Sequence, residues 1–77
     1  MNFTVKQNRW YEAKLSLNFI EKRASNSQII ARLAAAGFDK CRCEGRGKSR
    51  TVQALWSRAD RTGELPRQIE SIKEVFK

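Results

Sequence analysis

Seventy-seven residues, 8.9 kDa, give one small domain, residues 1–77, and exclude a dinucleotide fold, a large barrel or two lobes around a cleft. Sixteen Lys and Arg against eight Asp and Glu leave a formal charge of +8, which bears on partners and solubility more than on fold. With no His in the chain, acid–base catalysis near neutral pH would need a strongly shifted carboxylate, Lys or Cys.

The chain opens Met1-Asn2-Phe3-Thr4-Val5-Lys6 without the apolar core of a signal peptide, and no stretch approaches membrane-spanning length. From Phe3 to Phe19 the odd positions carry Phe3, Val5, Tyr11, Ala13, Leu15, Leu17 and Phe19, and the even ones are mostly polar. That period of two predicts a strand, either one long one or a strand preceded by a short hairpin arm broken at Gln7-Asn8-Arg9. Trp10 then lies on the solvent side and Tyr11 in the core.

Ser25 and Gln28 stand at capping-box spacing ahead of Ile29, Ile30, Leu33, Ala34 and Ala35, and Gly37 follows. This pattern predicts a helix of about three turns with a glycine stop. Beyond Asp39 two strands flank Gly45-Arg46-Gly47, with Cys41, Cys43, Val52, Ala54 and Trp56 facing in and Leu55 facing out. Residues 58–63 are polar and read as a loop. Pro66 fits a helix first turn, and Leu65, Ile69, Ile72 and Phe76, spaced four, three and four, predict an amphipathic helix; the rival is a turn at Pro66 and a final edge strand over 71–76. The expected fold is therefore α+β in the order β-α-β-β-α, an antiparallel sheet with helices packed on one face. This order resembles a ferredoxin-like split βαβ unit lacking its last strand, a pattern shared by many functions.

The most distinctive chemistry lies in the hairpin, where Lys40, Arg42, Arg46, Lys48 and Arg50 face one acid, Glu44. Arg58 and Arg61 extend the positive surface. Glycines allow the backbone to approach a phosphate, and guanidinium forks bind its oxygens; the spacing of a P-loop before Lys48-Ser49 is missing. Trp10, beside Arg9, suits base stacking, a protein interface or simple core packing. Cys41 and Cys43 share a strand face, where neighbouring cations would lower a thiol pKa, but two ligands make no metal site, and they are expected as reduced core thiols. The carboxylates Glu12, Glu21, Asp39, Glu44, Asp60, Glu64, Glu70 and Glu74 are scattered, and nothing pairs a nucleophile with a base.

These observations predict a non-enzymatic, cytoplasmic, nucleic-acid-binding module without cofactor or metal. It would hold DNA or RNA mainly by the backbone through Lys40, Arg42, Arg46, Lys48, Arg50, Arg58 and Trp10. The alternative is a protein-interaction module, an inhibitor, adaptor or assembly accessory, that docks on an acidic protein surface through Trp10 and an unpaired outer strand 3–9. The size and charge suit a bacteriophage or mobile-element gene acting in a bacterial cell. An open sheet face bearing Leu55 and Trp10 predicts a homodimer.

Overall fold

The computed structural model describes residues 2–18 and 23–76. Its elements are β1 (Asn2–Val5), β2 (Arg9–Ser16), α1 (Asn26–Ala36), β3 (Phe38–Arg46), β4 (Ser49–Trp56), β5 (Arg61–Glu64) and β6 (Ile69–Val75). Four strands form an antiparallel sheet in the order β3-β4-β2-β6, and β1 pairs with β5 in a separate two-stranded ribbon. The molecule is mostly β, which corrects the expected α+β arrangement with two helices on a sheet. The C-terminal segment is strand β6, as in the rival reading, and residues 61–63 of the expected loop, together with Glu64, form β5.

Strand β2 is central, paired with β4 along its length and with β6 on its other side. Its alternation works as the sequence predicts: Tyr11 and Ala13 are buried, and Trp10 is half-buried on the opposite side. Asn8, at φ 62°, breaks the chain between β1 and β2. Its N–H donates to the Trp56 carbonyl at 2.6 Å, and the Gln7 N–H donates to Asp60 Oδ1 at 2.8 Å. Residues 3–9 are therefore not an unpaired outer strand: residues 2–5 are already matched with 61–64. Phe19 lies outside the described residues.

Helix α1 begins and ends where its local signals place it. The Gln28 N–H donates to Ser25 Oγ at 3.1 Å and the Ser25 N–H to Gln28 Oε1 at 2.9 Å, closing the capping box. Gly37 takes the left-handed conformation at φ 115°, and a Cβ there would stand 3.0 Å from the Trp56 ring. The helix lays Ile29 and Leu33 into a cluster with Ala13, Leu17 and Val52, ringed by Leu15, Cys43, Ile69 and Ile72. Burying such side chains contributes about 1.5–3 kcal/mol each. At the other end of this inner face Phe3 meets Tyr11 edge-on at 5.7 Å, and Phe38 meets Trp56 at 4.9 Å. The ribbon thus packs where the helix does not reach.

Candidate nucleic-acid interface

The hairpin between β3 and β4 reverses at Gly47-Lys48, with Gly47 at φ 64°, and not at Gly45-Arg46-Gly47 as the sequence suggests: Gly45, at φ 106°, lies within β3 opposite Arg50, and Arg46 pairs with Ser49. A Cβ on Gly45 would come within 2.6 Å of the Ser49 carbonyl oxygen, so this position requires glycine. The turn is held from inside by Arg50. That residue is only 6% exposed. Its Nε donates to the Gly47 carbonyl at 3.1 Å and its Nη1 to Asn26 Oδ1 at 2.8 Å. Asn26 Oδ1 also accepts from Cys43 Sγ at 3.2 Å, and Asn26 Nδ2 donates to the Gly45 carbonyl at 3.3 Å. Arg50, expected as a phosphate contact, instead ties the turn to the first residue of α1. Its parity with Val52, Ala54 and Trp56 was the readable sign.

The other predicted cations are exposed. Arg46 and Lys48 stand at the hairpin tip, and Lys40 and Arg42 follow the β3 edge back from it. Lys40 sits in a β-bulge at φ 50°, where the register slips between Asp39 and Arg42. Arg58 joins them at the start of β3, its Nε 3.2 Å from where a Gly37 Cβ would lie. Strand rise gives β3 a span of about 26 Å from first residue to last. Both acids along this edge, Asp39 and Glu44, are exposed, and Asp39 accepts a hydrogen bond from the Ser57 hydroxyl.

Trp10 lies elsewhere, on the outer face of the four-stranded sheet, two strands or about 10 Å from the β3 edge. The register sets Leu55 beside it on β4 and Val75 beside it on β6. All three are half-buried. The next row reads Arg42, Gln53, Glu12 and Lys73, and the one after it Glu44, Thr51, Lys14 and Ser71. No residue of this face is buried, so no described element packs on it. A shallow depression of about 140 Å³ lies among Glu12, Lys14, Ser71, Ile72 and Lys73. Lys14 and Lys73 were missed as candidates. The even parity that exposes Trp10 also exposes Lys14, whereas Lys73 was hidden by the helical reading of its segment.

Both thiols belong to the inner face. Burial pushes Cys41 up, and Asp39 adds to the rise. Burial also pushes Cys43 up, against the charge and hydrogen bond of Arg50. The cations of the hairpin therefore do not activate either thiol as a nucleophile. No protein family, curated protein or solved structure matches this chain.

Proposed function

We propose that the protein is a small, non-enzymatic module of the cytoplasm that binds nucleic acid by its backbone along the β3 edge. One observation carries this reading: Lys40, Arg42 and Arg46 on the edge strand β3, Lys48 in the turn at its end and Arg58 beside Gly37 at its start are all exposed, while the buried Arg50 fixes the turn that presents two of them. Such a stripe displaces the counterions condensed on phosphates, a sequence-independent attraction that weakens as salt rises. The bulge at Lys40 bends the same edge away from pairing with other strands, which leaves it open to a polyanion.

Fluorescence anisotropy with random oligonucleotides at about 50 mM salt tests the proposal, and affinity no tighter than about 10⁻⁴ M overturns it. A second reading, an interaction module or homodimer, is supported by the apolar row Leu55, Trp10 and Val75, with Phe76 88% exposed close by. Sedimentation equilibrium showing a clean 8.9 kDa species at high micromolar concentration removes the homodimer.

A further inference from the structure

We infer that the nucleic acid taken by this surface is single-stranded, with unpaired bases lying on the open sheet face and one of them stacked on Trp10. The inference rests on the proposed backbone binding along β3 and adds the class of ligand. Trp10 is supported on both sides by Leu55 and Val75, directly opposite it in the register, yet it is only half-buried. A large ring held in place and still partly open to solvent is what base stacking needs. The face around it carries four cations, Arg42, Arg46, Lys14 and Lys73, against three carboxylates, Glu12, Glu44 and, at the β3 end of Trp10's own row, Asp39. Two of those acids are engaged, since Glu12 accepts from Gln53 Nε2 at 3.4 Å and Asp39 accepts from the Ser57 hydroxyl.

Duplex geometry does not use this arrangement. In a double helix each base has its π-faces covered by its neighbours, so a ring lying on a sheet cannot reach one without unstacking it. A splayed single strand offers its bases freely, and a four-stranded face, about 14 Å across by strand spacing, accommodates them beside the cationic edge. Phosphates on Arg42 and Lys73, which stand at opposite margins of one row, would carry the strand across β4 and β2 past Trp10.

The experiment compares a 12-nucleotide thymidine oligomer with a duplex of equal length by anisotropy and tryptophan emission. The single strand should bind at least about tenfold tighter and quench Trp10, leaving the emission of buried Trp56. Trp10→Ala should weaken single-strand binding by about 5- to 150-fold, the effect of losing one stacked base, and leave duplex binding unchanged. Trp10→Phe should restore part of the loss. Where Trp10→Ala fails to fold, the exposed pair Lys14→Gln and Lys73→Gln carries the test, lowering the single-strand salt slope by about 1.4 in magnitude. Duplex binding as tight as single-strand binding, or no effect from any of these variants, overturns the inference and leaves the edge reading standing. Failure to bind either oligonucleotide overturns both.

Discussion

Arg50 is the one charged side chain buried among the described residues, and its cost in lost hydration is met by its hydrogen bonds to the Gly47 carbonyl and Asn26 Oδ1. Arg50→Gln cannot span both partners. It should destabilise the fold by about 2–3 kcal/mol in urea unfolding, against no more than about 0.5 kcal/mol for Arg46→Gln or Lys48→Gln at the exposed tip. Equal costs at the three positions would show that the network contributes nothing. The thiols carry a second prediction. Both have pKa values raised by burial, so their protonated form is favoured in the folded state. A raised folded pKa contributes stability that is present below the ordinary thiol value of about 8.5 and is lost as pH rises through the folded value. Stability should therefore decline above pH 8.5 or so, and iodoacetamide at about pH 8 should modify the native thiols more slowly than a free cysteine peptide. Equal rates would remove the burial argument.

Both outer strands of the four-stranded sheet carry a bulge, and these irregularities explain what the sequence pattern concealed. In β6 the register passes from Lys14 opposite Ser71 to Leu15 opposite Ile69, which makes Glu70 the extra residue. Ile69 and Ile72 consequently share the inner face at an interval of three, the interval of a helix rather than a strand. Deleting Glu70 should restore regular alternation with Ile69 still facing in, leaving a cooperatively folded chain within about 1 kcal/mol of the parent by urea midpoint. In a helix the same deletion would rotate every earlier residue off the apolar face and unfold the segment, so a collapsed midpoint would count against the bulge. The β3 edge repeats the device, with Phe38 and Cys41 half-buried across the slip at Lys40. Strand β5 offered nothing to read, because Arg61-Thr62-Gly63-Glu64 has no apolar side chain and pairs with residues some sixty positions away. By contrast α1 and the existence of a glycine-bearing reversal between β3 and β4 were legible, since capping and turn chemistry are local, although the turn is Gly47-Lys48 and Gly45 and Arg46 belong to β3. The basic hairpin was legible as composition. Its division into edge, open face and buried support depended on long-range register, apart from the parity that marked Arg50.

The whole molecule measures 34 × 24 × 21 Å, so the cationic edge, about 26 Å by strand rise, is comparable with its longest dimension. The net charge of +8 is nevertheless divided evenly between residues 1–38 and 39–77. Two explanations of nucleic-acid binding therefore compete: attraction by total charge, or attraction by the arrangement on β3. They separate when equal charge is removed from different places. Lys40→Gln, Arg42→Gln and Lys48→Gln together take three cations from the edge, and Lys6→Gln, Arg61→Gln and Arg67→Gln take three exposed cations from turns and the ribbon. Each phosphate contact on a single strand adds about 0.7 to the magnitude of the salt slope, so five edge contacts give roughly −3.5. The edge triple should reduce that magnitude by about 2, while the ribbon triple should leave it nearly intact. Both triples should keep the parent's urea midpoint, because all six side chains are exposed and each loss also relieves repulsion among like charges. Slopes that fall equally in the two variants would mean that the protein attracts polyanions by net charge alone, and the β3 edge would then not be a site.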